Sequence, residues 1–275
     1  MIVRGKDTIH IVLSFLLLAT LESCDFKLKP FAEEVSDTLE VKIMRYDRLE
    51  SLYLTTGDFS ALQQMSTDYP IETRTLIENV LNLGTVSDPE INMKFLRFYQ
   101  DSTLQTIISD AEVMYANVED LNNQLTESLH RLKTMLPDIR IPMIYTQIGA
   151  LAQSIVVGDA SVGICLDKYL GTGYPLYKRY YEKEQRATMQ RRNIVPDFLS
   201  CYLLSVYQMS EPSGQPLEIL DKHLAKIQWV ANKALGAKFF TSDYISSLDR
   251  YMAGHPQVTF EQLLKDEDYA KLMGR

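Results

Sequence analysis

Tryptophan, cysteine and histidine are scarce in this chain of 275 residues, which has one, three and four of them. Each scarcity removes a class of chemistry. Cys24, Cys165 and Cys201 form no CxxC pair and no cysteine–histidine cluster, so a metal site is unsupported. His10, His130, His223 and His255 are isolated, and none belongs to an HExxH, where two histidines share one helical face and the glutamate between them serves as base. No GxSxG, P-loop or GxGxxG occurs, so no cofactor is expected and the chain reads as non-enzymatic; a triad assembled from distant positions is open to any sequence, but nothing signals one here. Positive charge is also short, with 28 Lys and Arg against 36 Asp and Glu, a net charge of -8. That balance leaves no electrostatic footprint for nucleic acid and none for anionic lipid.

A long apolar run is missing too. The N-terminal one, Ile11 to Ala19, is too short for a bilayer, which needs about 20 residues. It comes after Arg4 and Lys6 and leads to Leu21-Glu22-Ser23-Cys24, the layout of a bacterial lipoprotein signal: basic start, apolar core, small residue, then cysteine. Glu22 departs from the usual small or apolar residue, and an ordinary cleaved signal peptide or an uncleaved amphipathic helix are the other readings. Cleavage after Ser23 makes Cys24 the lipid-attachment residue, and several acyl chains on one residue, palmitate among them, suffice for stable anchoring. Removing residues 1–23 deletes Arg4, Lys6, Asp7 and Glu22 and leaves the charge balance unchanged. Residues 24–37 then read as lipid attachment and linker, and 38–275 as a single domain.

Within that domain, Thr38 to Arg45 alternates Leu39, Val41 and Ile43 with polar neighbours, the period of a half-buried strand. A helical layer comes next, with start signals at Asp47, Asp58, Asp88-Pro89 and Asp101, a stop at Gly84, and a helix over Val118 to Met135 carrying Leu121, Leu125, Leu129 and Leu132 on one stripe. The period changes again at Asp138 to Gln147, and Ser154 to Val157 and Val162 to Leu166 flank Gly158-Asp159-Ala160-Ser161 as a β-hairpin. Helices are then expected over Pro175–Arg191, Pro196–Met209, Pro216–Leu235, Ser242–Met252 and Thr259–Met273. The fold class is α+β, predominantly helical, with a small mixed sheet of about four strands. Cys165 and Cys201 read as buried small apolar residues, with a bridge between them the less favoured alternative.

The opening Val41-Lys42-Ile43-Met44-Arg45-Tyr46-Asp47, the segment Ile164-Cys165-Leu166-Asp167-Lys168-Tyr169-Leu170-Gly171 with Tyr174 and Tyr177, and the run Asp221-Lys222-His223-Leu224-Ala225-Lys226-Ile227-Gln228-Trp229 resemble the gliding-motility lipoprotein GldB family of the Bacteroidetes. The resemblance covers about Leu39 to Leu235. After that the family continues with a longer, tryptophan-containing helical region, whereas the single tryptophan here is Trp229, so the resemblance implies a relative shortened at the C-terminus. The resemblance implies a non-enzymatic accessory lipoprotein of the cell envelope, held to the membrane by its lipid, facing the periplasm from the outer membrane and binding other envelope proteins. The family also looks related to predicted zinc proteases, which implies a zincin-like scaffold; without HExxH this chain would be one that has lost its metal motif.

The residues themselves offer one candidate binding cleft, at the exit of the last strand: Asp167, Tyr169, Gly171, Tyr174 and Tyr177. Two other readings stay open on it. A degenerate zincin-like hydrolase or peptide-binding protein would line a groove with Asp167, Tyr169 and the helix beginning at Pro196. A glycan-binding lipoprotein would use the tyrosine series Tyr169, Tyr174, Tyr177, Tyr180 and Tyr181 as an aromatic platform. The bland alternative is a capped turn with core tyrosines. Lys183, Arg186, Arg191 and Arg192, interleaved with Glu182 and Glu184, read as a solvated helix face.

Overall fold

The computed structural model describes residues 40–273; the signal segment, Cys24 and the linker lie outside the described residues. The described residues form one compact unit. Its centre is a helix that the leucine stripe dictates. Leu121, Leu125, Leu129 and Leu132 recur every three or four positions, which places them on one face of a 3.6-residue period, and all four are buried in the helix Glu119–Met135. In chain order the elements are α1 (Tyr46–Thr56), α2 (Phe59–Thr67), α3 (Pro70–Arg74, running on as a π-helical turn, Thr75–Val80), α4 (Ile91–Tyr99), α5 (Ser102–Met114), α6 (Glu119–Met135), β1 (Met143–Gln147), β2 (Ile155–Val157), β3 (Ser161–Cys165), α7 (Pro175–Tyr180), α8 (Lys183–Arg186), α9 (Ile194–Val206), α10 (Leu217–Leu235), α11 (Asp243–Gly254), α12 (Phe260–Lys265) and α13 (Tyr269–Met273). The predominantly helical α+β class stands, with thirteen helices around a small mixed sheet among the described residues.

The sheet has the order β1-β3-β2, with β1 parallel to β3 and β2 antiparallel to it. The hairpin closes where Gly158 donates its N–H to the Ser161 carbonyl at 2.8 Å. The central strand β3 is buried along its whole length, as a strand covered on both faces must be. Gly163 is needed there. It pairs with Tyr145, whose ring lies across it so closely that a Cβ at residue 163 would stand 2.5 Å from Tyr145 Cζ.

Three strands are present among the described residues, not four. The expected opening strand keeps its alternation, with Val41 and Ile43 buried, but it forms only an isolated parallel bridge from Met44 to Tyr145. Its outer amides are taken by a helix: Val41 N–H donates to Thr126 Oγ1 and Ile43 N–H to Asn122 Oδ1, each at 3.0 Å. Side chains of α6 thus stand where a neighbouring strand would.

The helix-start signals divide in the same way. Asp58 and Asp101 cap α2 and α5, accepting from Ala61 N–H and from Thr103 and Leu104 N–H. Asp47 instead lies inside the first turn of α1 and turns inward, receiving Arg45 and the Thr146 hydroxyl at 2.5 Å. Asp88 accepts from Glu90 N–H in the turn ahead of α4. The expected stop at Gly84 falls earlier: the helix is over by Val80, and the chain turns at Asn82 (φ 53°). Two long expected helices are split. Tyr181 is extended between α7 and α8, and Asp266 accepts from Asp268 N–H between α12 and α13.

The C-terminal helices are fastened by polar side chains of α10 that point into the interior. Lys226 Nζ donates to the carbonyls of Leu264 (3.0 Å) and Asp266 (2.6 Å), satisfying the end of α12, and burial lowers its pKa to about 8. His223 faces the Tyr207 carbonyl with Nε2 and the Tyr269 hydroxyl with Nδ1, which places the proton on Nε2. Trp229 Nε1 donates to Asp249. Cys165 and Cys201 are free thiols; Cys165 is buried as expected, while Cys201 is partly exposed. Among the described residues no helix is long and apolar enough to cross a membrane.

Because the Tyr145 ring is itself held edge-on by Tyr46 at 6.2 Å, it cannot yield to a larger residue 163. Gly163→Ala is therefore expected to lower stability by about 1–3 kcal/mol, read from the midpoint of a urea transition at unchanged slope.

Candidate functional site

The parallel strands β1 and β3 end side by side, and a buried carboxylate bridges the turn that leaves β3 and the loop that leaves β1. Beyond β3 the chain enters a 3-10 turn, Leu166–Lys168, that places the Asp167 side chain under the β1 loop. Its oxygens accept from Gly149 N–H at 2.9 Å and from Leu151 N–H at 2.5 Å. One residue before that loop, Ile148 N–H donates to Glu50 of α1 at 2.8 Å, while the Ile148 carbonyl accepts from the Tyr99 hydroxyl. Ala150 and Leu151 both have positive φ, 50° and 64°, a region that side chains disfavour. The conformation is held from both sides, because the Leu151 carbonyl also accepts from Lys168 Nζ and the Tyr181 hydroxyl. Gly149 is required by space, since a Cβ there would meet Cys165 Sγ at 2.9 Å.

Burial raises the pKa of both acids. Asp167 is pushed up by desolvation and pulled back by its two backbone donors; Glu50 is held well above the ordinary carboxylate range by desolvation, with the charges of Asp167 and Asp47 adding to it.

A ladder of tyrosines runs outward from this point. Tyr177 of α7 donates to the Asp167 carbonyl and accepts from Leu170 N–H. Tyr115, just after α5, donates to the Tyr169 carbonyl at 2.6 Å. Tyr169 in turn donates to Asp197 of α9 at 3.0 Å. Tyr174 stands edge-on to Tyr177 with ring centroids 4.9 Å apart, and donates to Asp110 of α5 at 2.8 Å. Arg191 closes the same end of α5, pairing with Asp120 and donating to the carbonyls of Met114 and Asn117, with Tyr115 under its guanidinium. It is a fastening between elements, not the solvated face that its charged neighbours suggest.

Of the five residues expected to line a cleft, Asp167, Tyr169 and Tyr177 are therefore interior, with their polar atoms committed to the fold. Only Gly171 and Tyr174 remain half-buried. The tyrosine series does not form one platform: Tyr177 faces inward, Tyr180 outward, and Tyr174 reaches a surface groove between α5 and α7. Sequence reasoning missed Glu50, the Gly149–Leu151 turn, Tyr115, Asp197, Asp110 and Arg179, each of which meets its partners across 16 residues or more or, for Arg179, only by facing α5. Among the described residues no three His, Cys, Asp or Glu side chains are grouped to hold a metal.

The fold and this interior thus describe an α-rich domain in which a buried acid and a set of tyrosines lock the end of a small mixed sheet. Residues 29–235 match the family model described as gliding motility protein GldB, more than half of the chain, and the chain belongs to that family. Comparison with curated proteins and with solved structures returned no match. Helices α11 to α13 lie beyond the matched residues.

Asp197 supplies a test of the buried network. Desolvation raises its pKa from 3.8 to about 6, opposed by the hydrogen bond from Tyr169. Because the folded state holds this proton more tightly than the unfolded chain, the contribution is full below about pH 4 and is lost as pH rises through about 6. Asp197→Asn keeps an acceptor for Tyr169 without the charge, so it is expected to be more stable than the parent at pH 7 by about 1–2 kcal/mol and equal to it at pH 4, measured by chemical denaturation at the two pH values.

Proposed function

We propose that this protein is a lipid-anchored envelope component of the gliding-motility GldB type, attached through Cys24 and working by binding other envelope proteins, not by catalysis. The observation that carries the reading is the family match over residues 29–235, which begins five residues after Cys24. The N-terminal pattern supports the anchor: basic residues, an apolar run shorter than a bilayer, and a cysteine after a small residue. A net charge of -8 gives no overall attraction to anionic lipid, so in this reading the acyl chains, palmitate among them, supply the membrane affinity, and two or more are enough. We place the anchor in the outer membrane with the domain in the periplasm. The interior polar contacts of Asp167 and Tyr177 fit a scaffold whose task is shape, with recognition left to its surface.

Cys24→Ala is expected to abolish incorporation of an alkyne palmitate analogue and to shift the protein from the membrane pellet to the soluble fraction. The parent, but not the variant, should co-purify envelope proteins after mild crosslinking. Equal membrane association of the two forms would contradict the anchor, and capture of no envelope protein by the parent would contradict the binding role.

A further inference from the structure

We infer that the groove between α5 and α7 is a binding site for neutral carbohydrate. The groove is about 360 Å³, at the lower end of the range for small-ligand pockets, roughly 300–1,000 Å³. Its walls are built by the interior contacts already described: Tyr115 ties the end of α5 to the strand exit, Tyr177 ties α7 to the same turn, and Tyr174 bridges the two helices to Asp110. The groove therefore has a fixed width, which limits the ordering cost of binding.

Three features of its lining choose the ligand class. The first is an immobilised aromatic surface. Tyr174 is half-buried, braced by Tyr177 and held by its hydroxyl on Asp110, and Pro175 and Leu176 extend the apolar wall. The second is unused hydrogen-bonding capacity of both signs. Asp110 accepts one bond, from Tyr174, and retains further acceptor sites, while the exposed Arg179 guanidinium has no hydrogen-bond or ion-pair partner among the described residues and offers its N–H donors to the groove. Ser102, Thr103 and Thr106 line the opposite side with hydroxyls that both donate and accept; only that of Thr106 is engaged, donating to the Ser102 carbonyl at 2.9 Å. The third is charge. One carboxylate and one guanidinium leave the lining balanced, so a polyanion meets Asp110 and a polycation meets Arg179 unpaired, which discriminates against both.

A ligand that satisfies all three needs an apolar face, closely spaced groups that each donate and accept, and no net charge. A pyranose ring has these: axial C–H groups for Tyr174, and neighbouring hydroxyls that can bridge Asp110 and Arg179. The lining matches a saccharide better than an extended peptide, because a helix-walled groove presents no free strand edge for main-chain pairing.

The test uses the full lipidated chain in nanodiscs and saturation-transfer NMR with four neutral probes: maltotetraose, tetra-N-acetylchitotetraose, mannotetraose and xylotetraose. At least one is expected to show saturable transfer in the micromolar to millimolar range, weakened at least tenfold in Arg179→Met and in Asp110→Asn. Both positions are exposed, so the variants should keep the parent's melting temperature and far-ultraviolet circular dichroism. Tyr174→Phe, which keeps the ring and releases Asp110, should retain part of the affinity. Absence of saturable transfer from all four sugars would overturn the assignment, as would binding that the Arg179 and Asp110 variants leave unchanged.

Discussion

The carboxylate of Asp167 takes over where the β1–β3 ladder ends at Gln147 and Cys165, tying the loop that leaves β1 to the turn that leaves β3. Parallel strands cannot be closed by a short turn, so the chain leaving β1 must travel away before it returns as β3. Here it leaves through Gly149, Ala150 and Leu151, two of them in a backbone region that side chains resist. Left to itself such a turn would relax. Two amides donating to one buried carboxylate, a third donating to Glu50, and a carbonyl held by Lys168 and Tyr181 offset that strain and fix where the loop stands. From this point Tyr177 reaches out to α7 and Tyr115 to α5, so the spacing of the surface helices is set by an interaction in the interior.

That dependence explains why the strand exit looks like a ligand cleft in sequence and behaves as a keystone in structure. Asp, Lys, Tyr and Gly in one short run after a strand are the residue types that ligand sites use. They are also the types that a buried, irregular turn needs, because its main-chain groups must find partners and its curvature needs glycine. The distinction lies in partners distant along the chain. Tyr115 and Asp197 reach this turn from α5's end and α9, Glu50 of α1 reaches the facing β1 loop at Ile148, and nothing in the local pattern announces them.

Much of the architecture was nevertheless legible. The leucine stripe of α6, the hairpin around Gly158–Ser161, the caps at Asp58 and Asp101 and the helical class all rest on local periodicity and turn chemistry, and those signals survive folding intact. Several of the errors share a cause: tertiary partners override the local signal. The segment ahead of α1 alternates as a strand should, yet Asn122 and Thr126 capture its amides. Asp47 has the position of a cap, yet Arg45 and Thr146 draw it inward. The break between α7 and α8 carries neither glycine nor proline; its trace is the Glu182–Gln185 capping box that restarts the helix. The family was legible through the segment from Ile164 to Gly171, the same segment that carries Asp167.

Amide hydrogen exchange resolved by residue measures the Asp167 clamp directly. Gly149 and Leu151 lie in a loop, but their N–H groups are held by a buried acid, so both should exchange as slowly as the amides of the β1–β3 ladder and should speed up by orders of magnitude in Asp167→Ala, together with Leu170 on the Tyr177 hydroxyl. Exchange of Gly149 and Leu151 at exposed-loop rates in the parent protein would contradict the clamp.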